Sequence, residues 1–377
     1  MLLVTNIMGY IDLHSKPFDE GTIAKLEIFE SYAEAWIPTF VMKGVENIYI
    51  FDFFAGTGYD KNGVKGSPIR LLEKINKYLG IIFKKNVKIH IFFNEFEPNK
   101  KSQPKFELLK AACEDFIEKN KAINRACEIT YCNEDFETLF PKLEDFISKN
   151  PSLVYLDQNG IKFLNTKYIS ALEKMTTTDF LYFSSSSYFK RFGESDEFKQ
   201  HIDIDLQEIN KAPYTDIHRV VINELKKTLP VNTNLKLYPF TIKKGKNIYG
   251  IIFGAKHPRA VDKFLKIVWD KNEINGEANF DIDDEAKNKQ YDIFGNLKMS
   301  KIEKFKKNVE EKILSYEICN NFELLEYAFN EGHIGKHASD CLKELKKTKK
   351  VDYIKKSPYV TYEKVFKEKV KLEYKVL

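Results

Sequence analysis

The 377-residue sequence predicts an α/β fold: a mostly parallel sheet covered by helices on both faces and ended by an antiparallel hairpin. A small C-terminal winged helix-turn-helix domain follows. Three observations carry this. Short apolar runs alternate with segments of helical period from residue 20 to residue 187. Two further apolar runs, joined by a Gly-containing turn, follow at 234–258. Beyond residue 300 the chain reads helix, turn, helix, then two short extended runs.

The elements come in order. Residues 19–43 place Ile23, Leu26, Phe29, Tyr32 and Ala33 at helical spacing, with Pro38 near the end. "NIYIFDFF" is a short buried strand and "SPIRLLEKINKYLG" a helix ended by a glycine cap. "VKIHIFFNE" is a second strand, "PKFELLKAACEDFIEKN" a helix, "ACEITYCNED" a third strand and "FETLFPKLEDFISKN" a helix. "SLVYLDQNG" is a fourth strand, "YISALEKMTTT" a helix and "DFLYFSSSS" a fifth strand. Strands this apolar, alternating with helices, belong to a parallel sheet buried on both faces. A polar helical stretch covers 194–229, and "NLKLYPFTIKKGKNIYGIIFGAKHP" is the terminal hairpin. Residues 271–299, polar and Asn-rich, read as a linker between a first domain, 1–270, and a second, 300–377.

Composition narrows the classes. At 43% hydrophobic and 31% charged residues, the chain has ample material for a core. No apolar run reaches the roughly 20 residues of a membrane helix, and the first residues lack a basic flank and a small-residue cleavage site. The five cysteines are an odd number with no CxxC pair, which argues against a disulfide framework and a zinc site. The expectation is a cytoplasmic protein without a metal. The net charge of +5 sits wholly in residues 301–377, which hold 18 Lys and 13 Asp or Glu, while the first 300 residues balance. A basic end suits nucleic acid, or is simply a solvated lysine-rich surface.

The first strand runs into Asp52-Phe53-Phe54-Ala55-Gly56-Thr57-Gly58. Small residues let the backbone approach a ligand closely, and ligands of parallel sheets bind at the carboxyl ends of strands. The dinucleotide fingerprint would want Gly where Lys61 stands, and the Gly-Lys-Ser/Thr of a phosphate loop is absent. An acidic strand end followed by Gly-x-Gly resembles instead the motif that holds S-adenosylmethionine. The other strand ends add carboxylates. Glu95 could accept the ribose hydroxyls, Asp135 the adenine amino group with Phe136 stacked on the ring, and Asp157 stands where a methyl acceptor would sit. Taken singly, each acid is more often a helix cap or a surface charge.

In the C-terminal domain a helix over Phe322–Asn330 precedes a second from about Lys336 to Lys347, with Ala338, Cys341, Leu342 and Leu345 inward. Val351, Tyr353 and Ile354 pair across a Lys-Lys-Ser-Pro turn with 359–362 to make the wing. Lys336, His337, Lys343, Lys346 and Lys347 would face outward, with Lys355 and Lys356 on the wing. Lysines neutralise phosphates, while arginine, the usual reader of guanine, is missing from this segment. Contact with DNA or RNA would therefore be nonspecific. A protein-binding winged helix is the alternative.

Five βα units and a terminal hairpin make the Rossmann-like layout of class I methyltransferases. "HSKPFDEGTIAKLEIFESYAEAWIP" (His14 to Pro38), "FDFFAGTG", "GSP" (Gly66 to Pro68), Asn94-Glu95, "YLDQNG" and "FGAKHP" (Phe253 to Pro258) together resemble the three-Cys-motif partner family of prokaryotes. The resemblance covers most of residues 10–270. It implies a methyltransferase fold, S-adenosylmethionine as cofactor, a pocket including His14, Lys16 and Ser67, and a separate partner protein that carries the three cysteines. The family tends to have Asp-Pro-aromatic-Gly where this chain has Asp157-Gln158-Asn159-Gly160. The leading expectation is a methyltransferase acting on nucleic acid, with Asp52, Phe54, Ala55, Gly56, Thr57 and Gly58 around the methionine end and Asp157 and Asn159 at the acceptor. The other expectation is a non-catalytic subunit that senses cofactor or nucleic acid.

Overall fold

The computed structural model describes residues 17–97, 104–158, 166–193, 204–285 and 299–377. His14, Lys16 and Asn159 lie outside the described residues. Seven strands form the main sheet in the order β3-β2-β1-β4-β5-β7-β6. The chain divides into two compact units, residues 1–143 and 144–377.

In the first unit, α1 (Glu20–Lys43) is capped by Asp19, whose carboxylate accepts the Thr22 N–H at 2.9 Å, and ends at Gly44 in the left-handed region. It buries Leu26, Phe29, Tyr32, Ala33, Trp36 and Ile37. The strands β1 (Asn47–Asp52), β2 (Lys88–Asn94) and β3 (Cys127–Cys132) are parallel, with Asn47 opposite Lys88 and Ile89 opposite Cys127. Their side chains Ile48, Ile50, Ile89, Ile91 and Phe93 are fully buried, as the unbroken apolar runs predict. The helices α2 (Ser67–Lys77), α3 (Leu79–Lys85), α4 (Lys105–Lys119), α5 (Ile123–Ala126) and α6 (Phe136–Lys149) connect them. Glu30 and Glu34 of α1 grip Lys74 of α2, each at 2.8 Å. Gly80 is not the cap the sequence suggested. The helix breaks at Tyr78, Gly80 lies inside α3, and Asn86 at φ 52° ends it.

In the second unit, β4 (Ser152–Leu156) and β5 (Thr178–Ser184) are parallel, and β7 (Asn247–Ala255) lies antiparallel between β5 and β6 (Lys236–Lys244). Gly254 makes room for the Phe180 ring: a Cβ there would sit 2.0 Å from Phe180 Cζ. Helices α7 (Thr166–Lys174), α8 (Ser187–Phe192), α9 (Leu206–Lys211) and α10 (Ile217–Thr228) precede the hairpin. Helix α11 (Pro258–Lys271) follows it and was not anticipated. His257 is its N-cap, with Nδ1 accepting the Arg259 N–H at 3.0 Å. In the stretch expected as a linker, the described residues 272–285 lie against β6. Thr241 N–H donates to Glu277 O at 2.7 Å, Asn279 N–H donates to Thr241 O, and Ala278 is fully buried. Arg219 binds Asp283 through both Nη atoms, at 3.0 and 2.7 Å, and also Glu277.

The C-terminal helices are α12 (Lys301–Leu314), opened by a Ser300–Glu303 capping box, α13 (Asn321–Asn330) and α14 (Gly335–Lys347). Ala338, Cys341, Leu342 and Leu345 are buried, as their spacing requires. The wing pairs differently from the expectation. β8 (Val351–Asp352) bonds β9 (Lys375–Val376), not residues 359–362. Tyr359 is left-handed at φ 59°, its carbonyl is held by Asn321 Nδ2, and a π-helical turn begins at Glu363, so no strand can run there. The module is fastened to the hairpin and α11: Tyr238 Oη donates to Phe329 O at 2.8 Å, and Trp269 Nε1 to Gly332 O at 2.9 Å. No described helix is long and apolar enough to cross a membrane.

Candidate functional site

The end of β1 is built around a buried carboxylate. Asp52 is 1% exposed, and its Oδ2 accepts the Ser67 hydroxyl at 2.6 Å while Oδ1 accepts the Phe54 N–H at 3.2 Å. The chain then turns through Gly56 at φ 69° and Gly58 at φ 85°, both in the region that favours glycine. A Cβ on Gly58 would meet Ala112 Cβ at 2.7 Å. Glu95, just past β2, reaches across: its Oε2 accepts the Gly56 N–H at 2.8 Å. Ala55 N–H donates to Asn94 O at 2.9 Å, so turn and strand end are joined by backbone as well. Asp52, Phe54, Ala55, Gly56, Gly58, Ser67 and Glu95 are thus one constellation, and Thr57 folds its hydroxyl onto Tyr59 O at 2.7 Å. The helix α2 does not follow the glycines directly. Residues 59–65 intervene, and Gly66 N–H returns to Gly58 O at 2.8 Å.

Two residues organise this region in ways the sequence did not indicate. Asp60, buried, accepts Asn62 and Val64 N–H on Oδ1 and Phe18 N–H on Oδ2, at 2.7–2.8 Å. Burial would raise its pKa, yet these three donors hold it below the usual aspartate value. It closes the 59–65 loop and ties it to the start of α1. Asn94, also buried, donates Nδ2 to Phe53 O and Glu134 O, at 3.1 and 3.0 Å, and accepts Glu134 N–H on Oδ1. One side chain thereby ties together the ends of β1, β2 and β3. The only signal was an Asn at a strand end, which is compatible with many roles.

The remaining candidates are placed otherwise. Asp135 turns its Oδ1 to the Glu137 N–H at 2.9 Å, as the N-cap of α6. Phe136 is 2% exposed and packs in the core with Phe53, Phe54 and Phe140, centroids 5.2–5.4 Å away. Asp157 and Gln158 follow β4, and Gln158 is buried with Nε2 toward Phe183 O at 3.3 Å.

In the C-terminal module, Lys336, Lys343, Lys347, Lys355 and Lys356 are exposed. Lys343 pairs with Asp340 at 2.9 Å. Two residues expected on this face point elsewhere. Lys346 is a staple, with Nζ on Asp352 at 2.8 Å and on Tyr353 O, 4.2 Å over the Tyr353 ring. His337 sits against Trp269, ring centroids 4.4 Å apart, with Nδ1 3.0 Å from His333 Nδ1. Burial, with Lys301 nearby, pushes the His333 pKa down to about 2; burial lowers His337 to about 4. Among the described residues no cluster of three or more His, Cys, Asp or Glu is arranged to hold a metal.

Solved structures similar to the chain include Trm1 from Pyrococcus horikoshii in complex with S-adenosyl-L-methionine, at 10% identity over 66% of this chain and 59% of that one, TM-score 0.35. The O-methyltransferase TomG from Streptomyces achromogenes, involved in tomaymycin synthesis and solved with S-adenosylmethionine, is 8% identical over 63% of this chain and 90% of its own, TM-score 0.30. An O-methyltransferase from Bacillus cereus in complex with S-adenosylhomocysteine is 12% identical over 63% and 91%, TM-score 0.30. No curated protein matches the chain. Residues 268–358 match the model of the GMT-like wHTH domain, so the chain joins a Rossmann-like, mostly parallel sheet to a C-terminal winged helix-turn-helix.

Proposed function

We propose that residues 1–270 bind S-adenosylmethionine for methyl transfer, and that the winged helix holds DNA or RNA as the substrate. The observation that carries this is the convergence of the Asp52 and Glu95 carboxylates on the Gly56–Gly58 turn. The residues fit the group. The turn at Gly56 brings backbone without a side chain to the strand ends, Asp52 would set negative charge near an amino group, and Glu95 would suit a pair of hydroxyls. Phe136 is committed to the core, so the adenine ring would stack on another group, while Asp135, which caps α6 through Oδ1, stays a candidate for the adenine amino group. When bound, the sulfonium supplies an electrophilic methyl carbon. Asp157 would orient the acceptor and take its proton. We further propose that the chain is a member of the three-Cys-motif partner family, on the residues quoted above.

A second reading, a cofactor-sensing subunit without catalysis, is favoured by one feature. Gln158, which stands where the family tends to carry proline, is buried and directs its amide at Phe183 O.

Titration calorimetry with S-adenosylmethionine tests the pocket. The wild type should bind at micromolar affinity, and Gly56→Trp and Glu95→Ala should abolish or weaken binding while keeping a cooperative thermal transition. An inert wild type would overturn both readings. Binding without methyl transfer to DNA or RNA pools would favour the second.

A further inference from the structure

β3 is one edge of the seven-stranded sheet and β6 the other. The β6 edge is closed by residues 277–279, which bond Thr241 on both its N–H and C=O. At β3 every second residue turns its N–H and C=O away from β2; the Cys127 N–H is taken by Ile123 O, and no described group bonds those of Ile129 and Tyr131. The apolar face also runs past its cover. Ile91 and Phe93 of β2 are fully buried, whereas their β3 neighbours Ile129 and Tyr131 are only half-buried. They open on a groove of about 590 Å³ shared with Ile117 and Ile123. Glu114 and Glu118 of α4 stand on its wall one helical turn apart, exposed and outside every ion pair among the described residues, against a single lysine, Lys121. Two like charges at this spacing repel each other and would be relieved by a cation laid along the groove.

We propose that the outer edge of β3 takes an extended, lysine- or arginine-bearing segment of a partner protein as an added strand. The strand's backbone would continue the ladder, its apolar side chains would fill the groove over Ile129 and Tyr131, and its cations would pair with Glu114 and Glu118. All of these residues belong to the first unit, and the inference is independent of what the glycine turn binds.

The test uses the full chain and a labelled, capped Lys-Thr-Val-Thr-Val-Thr-Lys peptide, which sets its valines and its cations on one face of the strand. Its controls are the same peptide N-methylated on every second residue, which cannot extend a ladder, and the same peptide with Glu in place of Lys. Binding of the first should slow amide exchange over 127–132, and both controls should bind at least about tenfold more weakly. Glu114→Lys with Glu118→Lys, both on the surface, should reverse the preference toward the Glu-bearing peptide. Equal affinity for the N-methylated peptide, protection away from β3, or an unchanged preference in the double variant would overturn the proposal. So would a dimer of the chain alone that protects β3, because the occupant would then be a second copy.

Discussion

At the scale of single residues, the clearest demand is made by Gly58. Its φ of 85° is strained for any L side chain, and a Cβ would stand 2.7 Å from Ala112 Cβ. Gly58→Ala should therefore cost about 1–3 kcal/mol of unfolding free energy, the backbone and steric parts together. In urea unfolding, Ala112→Gly should recover part of that cost in the double variant, through a coupling beyond the sum of the single changes. An equal cost with and without the Ala112 change would mean that backbone strain alone is at work. This position was legible because a glycine pair directly after an acidic strand end signals a tight turn with left-handed backbone. Asp60 and Asn94 were not, because their roles depend on where Phe18, Phe53 and Glu134 arrive in space. Lys346 and His337 show the converse. Their helical phase pointed outward, but the side chains bend to Tyr353 and Trp269.

At the scale of elements, the parallel strands were readable because burial on both faces leaves an unbroken apolar run. Helix α11 was hidden behind the His257-Pro258 start, which also suits a turn, and the wing was misassigned because two-residue strands carry almost no pattern. Packing between elements then sets a pH dependence. His218 of α10 is fully buried, with Nδ1 2.7 Å from Ser186 Oγ and Nε2 3.0 Å from Ile251 O. Burial lowers its pKa to about 4, with smaller opposing effects from Ile251 O and Glu277. His333 and His337, between Trp269, Phe305 and Lys301, are lowered as well. All three are thus neutral when folded and take up a proton near pH 6.5 only when unfolded. Their contribution is intact above about pH 6.5 and is lost as the pH falls from there, toward about 4 for His218 and His337 and further for His333, at up to about 1.4 kcal/mol per pH unit for each. Denaturant midpoints should be flat from pH 8 to 7 and fall steeply between 6.5 and 5. An unchanged midpoint across that window would show that these rings are protonated or exposed in the folded protein.

At the scale of the whole molecule, the excess charge lies in residues 301–377, which overlap the wHTH match at 268–358 only in part, and the lysines there divide into two kinds. Lys346, and Lys350 with Glu310, serve the module's own structure. Lys336, Lys347, Lys355 and Lys356 are exposed and outside every ion pair among the described residues, as a phosphate-binding surface requires. Binding through them would release counterions, so the logarithm of affinity for a DNA or RNA duplex should fall linearly with the logarithm of salt. Replacing all four by alanine should flatten that slope by up to about 3.6, at about 0.9 for each phosphate no longer neutralised, with little change in melting temperature. Lys346→Ala should do the reverse, lowering the melting temperature and leaving the slope nearly unchanged. The comparison separates a nucleic-acid face from a lysine-rich surface that faces only solvent. A slope untouched by the fourfold change would move the substrate-holding role away from the winged helix, while the glycine turn with Asp52 and Glu95 would stand or fall by its own titration.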